Sequence, residues 1–269
     1  MKNKLILMGI LVAAGILTLF MWRSHDTTLS AFGLNALTEV LGVICTVFIV
    51  DVLMTRHEEL RSLPQRQTAY EDVRLLVSRV ISFWSDIYRL SVPEACPGSV
   101  NALFTDDSFN KMMQCLNMSS TANVSPQRTW FVAFPQGLKD HMDRANTILQ
   151  RHNSVLDPTA YRCVHSLTTT FDPGLIAAIC QSDHETGCPR PTVLGSYFFL
   201  PSDYLYSILE LVKWCRAERD TLARLGKQGL FEIAQTIGPW ERLATPPSMI
   251  SPELLAQQLN AMSRFQAGT

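Results

Sequence analysis

The sequence predicts an all-α membrane protein: an N-terminal two-helix transmembrane hairpin followed by an α-helical cytosolic domain. Three observations predict it. Two apolar runs, residues 5–22 and 29–54, stand close together at the start of the chain. Downstream, apolar residues recur at helical spacing, most clearly over residues 65–90. No stretch alternates apolar and polar residues for long enough to build a sheet.

The first run is 18 residues long, follows Lys2 and Lys4, and ends in Leu19, Phe20, Met21 and Trp22. A signal peptide has a shorter apolar core and a small-x-small cleavage site after it. Neither feature is present, and Trp22 suits an interfacial position. The run is therefore expected to be a retained span. Gly9 and Ala13 form a small-xxx-small pair within it, as do Gly42 and Thr46 in the second run, and such pairs permit close helix approach.

The second run is 26 residues long, or roughly 39 Å as a helix at 1.5 Å per residue. A bilayer core needs only about 20 apolar residues. Asn35, Glu39, Gly42 and Thr46 follow one another at +4, +3, +4 and share one helical stripe. An ionisable residue inside a span is costly and usually faces protein or water rather than lipid. Glu39 lies deep in the bilayer if the span begins at Leu29, and within a turn of the headgroups if it begins at Ala36. Asp51 lies near the other end, before Arg56 and His57.

Residues 23–28 make a short polar connector containing one basic residue, Arg23. Lys2 and Lys4 precede the first span, and Arg56, Arg61 and Arg66 follow the second. The basic-residue rule then places both termini in the cytoplasm of a multi-pass inner-membrane protein. The hairpin covers residues 1–55 and the cytosolic domain residues 56–269, long enough for a real core. The chain carries 23 Lys and Arg against 24 Asp and Glu, so no overall field attracts polyanions.

Within the cytosolic domain, Ala69, Val73, Leu76, Val80, Phe83, Ile87 and Leu90 predict a helix over 65–90, a stalk bent from the second span near Pro64. Residues 91–98 break it. Further helices are expected over 106–118, 138–152, from Asp157-Pro158 to about 170, and from Asp172-Pro173 to 180. Residues 184–201 are loop-like, with 193–200 a strand or buried loop. Ser202 caps a helix over 203–225 that ends at Gly226, and a short helix follows over 229–237. Residues 238–248, with Pro239, Pro246 and Pro247, are expected to be a linker. Ser251-Pro252 starts a last helix with Leu255, Leu259 and Met262 as its apolar face.

Candidate chemistry is sparse. The seven cysteines are irregularly spaced, and those in a cytosolic domain are expected to be reduced thiols, mostly small and buried. Cys180, His184 and Cys188, with Cys163 and His165 upstream, lack the close Cys-x2-Cys pairs of structural zinc sites, so no metal is assigned. His141, Asp143, His152 and His165 come with no catalytic motif, and no catalytic residue or cofactor is assigned. Lys213, Trp214, Arg216 and Arg219 are a candidate ligand site. Arginine forks bind phosphate and an indole can stack on a base, although Glu210, Glu218 and Asp220 are interleaved.

The pattern Asn35-x2-Thr38-Glu39-x2-Gly42-x3-Thr46-Val47-x3-Asp51, ending in Arg56 and Glu58, resembles the second span of small bacterial two-span proteins with a cytoplasmic helical domain. Some proteins of that architecture act as membrane effectors in anti-phage defence. The resemblance covers roughly residues 29–59. It implies a homo-oligomer in the lipid bilayer that perturbs the membrane or conducts ions when triggered. The cytosolic domain would sense a nucleotide, an oligonucleotide or a protein regulator. It carries no catalytic residues over. The alternatives are a cytosolic binding or adaptor module on an inert anchor and, with least support, a membrane-tethered enzyme.

Overall fold

The computed structural model describes residues 13–23, 27–186, 202–238, 245–253 and 256. They are mostly helical, and they divide into two compact units, Met1–Leu63 and Pro64–Thr269, with the division inside one helix. In the first unit, α1 (Ala13–Trp22) precedes α2 (Thr27–Ser91). Residues 5–12 of the expected first span lie outside the described residues. α2 is the one described helix long and apolar enough to cross a membrane.

α1 lies against the beginning of α2. A Cβ built on Gly33 would strike the backbone of Met21 and Trp22, and one built on Gly15 would stand 3.8 Å from Val40 Cγ1. Glycine is required at Gly33 because the two backbones approach too closely for any side chain. The small pair expected to serve close packing, Gly42 and Thr46, shows no such contact among the described residues at Gly42. A Cβ on Gly42 would meet nothing within 4 Å. Gly9 lies outside the described residues.

The second unit is built around the part of α2 beyond Pro64. This segment, expected as a stalk, is the central core helix. Ala69, Tyr70, Val73, Leu76, Val77, Val80, Trp84 and Ile87 are all buried. Their spacing of three and four makes an apolar face wide enough for neighbours on several sides. Ser91 ends α2, returning its hydroxyl to Ile87 O at 2.7 Å.

Around this helix stand α3 (Val100–Leu103), α4 (Asp106–Cys115), α5 (Trp130–His152), α6 (Pro158–Thr169), α7 (Pro173–Thr186) and α8 (Ser202–Arg224). A two-residue ladder, β1 (Thr121–Ala122) with β2 (Arg128–Thr129), precedes α5. α5 packs on α6 and α7, and α6 on α8. Trp84 is the hub. Its ring lies 4.6 Å from Phe109, 5.9 Å from Phe134 and 6.3 Å from Tyr204. Its indole N–H donates to Tyr204 Oη at 3.0 Å.

Several helix limits follow the expected local signals. Asp157 caps α6, its Oδ1 accepting from Thr159 N at 2.9 Å and Ala160 N at 3.1 Å. α8 closes with Gly226 at φ +91°, while Lys227 N donates to Leu222 O and Gly226 N to Ala223 O, each at 3.0 Å. That pair of bonds is the Schellman closure, which needs a left-handed residue.

Other limits moved for tertiary reasons. α5 starts eight residues before the expected Leu138, running through Pro135 and Gly137. Trp130, Phe131, Phe134 and Pro135 are buried there, and a Cβ at Gly137 would sit 2.5 Å from the Phe83 ring. Burial and close approach to α2 outweigh poor helix propensity. α4 stops at Cys115 and α7 continues to Thr186.

Residues 229–237 do not form the expected helix. Gly229 has φ +76°, and neighbours recruit the backbone that follows. Tyr70 donates to Phe231 O at 2.5 Å and Val100 N to Gln235 O at 3.0 Å, while Ser99 bridges Thr236.

Nor is the end of the expected linker loose. Ser248 is fully buried; its N–H donates to Leu90 O and its carbonyl accepts from Asn117 N, both at 2.8 Å. Its hydroxyl accepts from Trp130 Nε1 at 3.0 Å. The proline-rich segment ends as a clasp joining α2, α4 and α5. Residues 193–200 and the expected apolar face of the last helix, Leu255, Leu259 and Met262, lie outside the described residues.

Candidate helix interface on α2

In the first unit, the face of α2 that receives α1 carries Gly33, Leu37, Val40 and Ile44, which are buried or half-buried. At 100° per residue, the stripe of Asn35, Glu39, Gly42 and Thr46 is centred about 160° away. All four stripe residues are exposed. The described part of α1, Ala13–Trp22, therefore leaves the polar stripe uncovered. Two hydroxyls on or beside the stripe are satisfied by their own helix: Thr38 donates to Asn35 O at 2.7 Å and Thr46 to Gly42 O at 2.8 Å. Asn35 and Glu39 are left to define its polarity. Sequence periodicity located the stripe, but only the packing of Gly33 on α1 shows which way it faces.

The basic candidate on α8 is brought together but largely neutralised. Lys213 pairs with Glu210 at 2.7 Å. Arg219 pairs with Asp220 at 3.0 Å and Glu232 at 2.7 Å. The Trp214 indole donates to Asp157 Oδ2, so the cap of α6 also anchors α8. Arg216 has a buried Nε without a partner. A further ion pair, missed in the sequence, ties α2 to α8: Arg66 Nε and Nη2 each donate to a Glu218 oxygen at 2.8 Å. A bidentate, half-buried arginine of this kind holds helices in register.

The histidines are scattered. His152 is buried, with Nε2 2.8 Å from Asp72 Oδ2. His165 stacks on Tyr161 at 6.4 Å. Asp143 is held by Lys139 at 2.6 Å. His141 meets the Phe83 ring edge-on at 5.2 Å, and its buried Nδ1 has no partner. Burial pushes the His141 pKa down to about 4, with Arg144 and Arg79 acting in the same direction and Asp140 opposing them.

The folded state thus holds His141 neutral, while the unfolded chain takes up its proton near pH 6.5. The stabilisation is fully present above pH 6.5 and is lost as pH falls towards 4. Wild type should lose on the order of 2–3 kcal/mol more than His141→Gln between pH 7.5 and 4.5. Equal losses in urea-midpoint measurements on the two proteins would refute it.

Among the described residues, Cys45, Cys96, Cys115, Cys163 and Cys215 are free thiols. Burial raises the pKa of Cys96 to about 11 and of Cys215 to about 12, keeping them protonated and unreactive. The side chains of Cys180 and His184, and all of Cys188, lie outside the described residues. Elsewhere among the described residues no group of three metal-ligating side chains converges.

No family model matches the chain, and no curated protein or solved structure does either.

Proposed function

We propose that the chain is a membrane-embedded homo-oligomer whose second helix packs against other copies through the Asn35, Glu39, Gly42 and Thr46 stripe. The second unit senses a ligand or partner and gates those helices. In this reading α1 and α2 form a transmembrane hairpin with both termini cytoplasmic. The assembly perturbs the membrane or passes ions as an effector, in the manner of the anti-phage defence proteins its second span resembles. The observation that carries it is the orientation of the stripe. In a bilayer, an asparagine and a glutamate facing away from α1 meet lipid unless another chain or water covers them, and lipid is the costly choice.

Gly42 supplies the test. Among the described residues nothing lies within 4 Å of a Cβ there, so a side chain leaves the α1–α2 contacts at Gly33 and Gly15 intact. Gly42→Leu should therefore dissociate the oligomer, read by native mass measurement in detergent, while expression and membrane insertion stay as in wild type. A wild-type protein already monomeric, or an unchanged oligomer in the variant, would overturn the interface.

The second reading is a cytosolic binding module on an inert anchor. It is favoured by the self-satisfied hydroxyls of Thr38 and Thr46, which leave the stripe less polar than its composition suggests.

A further inference from the structure

In the second unit, α5 and α7 enclose a groove of about 600 Å³ next to the start of α7. That volume suits a small organic molecule. Phe131, Val132, Pro135, Met142 and Ala177 give it apolar walls. Its polar groups are Gln136, Lys139, Asp172 and Gln181, and the bonds each already makes determine what remains to offer.

Gln136 Nε2 donates to Asp140 Oδ1 at 2.7 Å, and Gln181 Nε2 to Glu185 Oε1 at 2.7 Å. A carboxylate can only accept, so these bonds fix both amides with the nitrogen turned to the acid. Both amide carbonyl oxygens are left as acceptors. The Lys139 ammonium is held by Asp143 at 2.6 Å. Asp172 Oδ1 accepts from Gly174 N at 2.9 Å and Leu175 N at 3.1 Å, while Oδ2 has no partner among the described residues. The positive end of α7 is thus already capped by a carboxylate of its own chain. The groove combines apolar walls with a lining carboxylate that keeps one oxygen without a partner among the described residues and two lining glutamines whose amide oxygens remain acceptors.

We propose that this groove binds a small amphipathic cation, with its apolar body between α5 and α7 and its ammonium group on Asp172 Oδ2. An anionic ligand is disfavoured, because Lys139 is neutralised and Asp172 is not. This site is independent of the membrane reading, since every group it uses lies in the second unit.

The test uses the full chain in nanodiscs and three probes that share an indole body. Tryptamine is cationic, 3-methylindole neutral and indole-3-propionate anionic. Calorimetric titration should show tryptamine binding roughly tenfold more tightly than the anion, the scale of a hydrogen bond to a charged group. Ala177→Trp fills the groove from an exposed position on α7 and should abolish the binding of all three above the lipid background. Asp172→Asn retains a capping side chain. It should weaken tryptamine roughly tenfold and leave 3-methylindole unchanged. Equal heats from wild type and Ala177→Trp would overturn the site. So would cation and anion binding alike, or tryptamine affinity indifferent to Asp172→Asn.

Discussion

Trp84→Ala is expected to destabilise the second unit by about 3–5 kcal/mol, a large share of the roughly 5–15 kcal/mol that holds a typical domain folded. Trp84 is fully buried, and its ring touches residues from α4, α5 and α8, so alanine leaves a cavity that no one neighbour can fill. Its indole N–H is also the donor to the buried Tyr204 hydroxyl, whose pKa burial raises, so losing the indole strands that hydroxyl. Trp84→Phe separates the two effects. It keeps most of the apolar volume and should cost about 1–3 kcal/mol, chiefly for the unpaired Tyr204 hydroxyl. Adding Tyr204→Phe removes the stranded group, so the double variant should be more stable than the sum of the single losses implies. Denaturant unfolding followed by hydrogen exchange in the second unit reads all three. A loss below about 1 kcal/mol for Trp84→Ala would show that the aromatic cluster is not the core of the unit.

The same cluster shows what could be read from sequence. Spacing alone locates the helix over 65–90, because Ala69, Val73, Leu76, Val80 and Ile87 repeat at three and four. It does not tell a stalk from a core helix, since a coiled stalk and a wrapped helix share that period. Trp84 sits one position from the expected stripe residue Phe83, and only the neighbours reveal which ring is central. Caps were legible because they are local: Asp157, Asp172 and Gly226 act within a turn of their own position. The course of residues 229–237 and the clasp at Ser248 were not. Their backbone bonds go to partners more than 100 residues away, such as Val100 N on Gln235 O and Ser248 N on Leu90 O.

For the candidate interface the division is similar. Asn35, Glu39, Gly42 and Thr46 are visible as a stripe because a helix converts spacing into angle. Their orientation depends on α1, whose contact is set by Gly33, a residue with no distinctive sequence context. The α8 basic segment was legible in part, since Glu210 and Asp220 stand interleaved in the sequence while Glu232 and Asp157 come from elsewhere in the chain. What only the fold supplies is Glu232 on Arg219 and Asp157 on Trp214. The α5–α7 groove had no sequence signal at all, because its walls and its polar groups come from two helices that only the fold brings together.

In the proposed membrane assembly, Glu39→Leu is expected to abolish ion passage while leaving expression and insertion at wild-type levels. A leucine is better tolerated by lipid than a glutamate, so a failure to insert cannot explain a loss of function. Glu39→Gln keeps the size and most hydrogen bonding and removes only the charge. If Glu39 lines a wet path between copies, a ring of carboxylates is lost, and ion passage should fall on the order of tenfold. Oligomer stability should change far less, because interhelical polar contacts in membranes average only about 0.6 kcal/mol. Gly42→Leu separates packing from charge: it should break the assembly, whereas Glu39→Gln should keep the assembly and only lower its ion passage. Leu37→Ala and Ile44→Ala, on the face turned to α1, should leave ion passage near wild type. The measurement is membrane potential or growth on induction, with native mass run in parallel. If Glu39→Leu behaves like wild type there, the stripe carries no ions. The hairpin then only anchors the chain, and its function resides in the second unit alone.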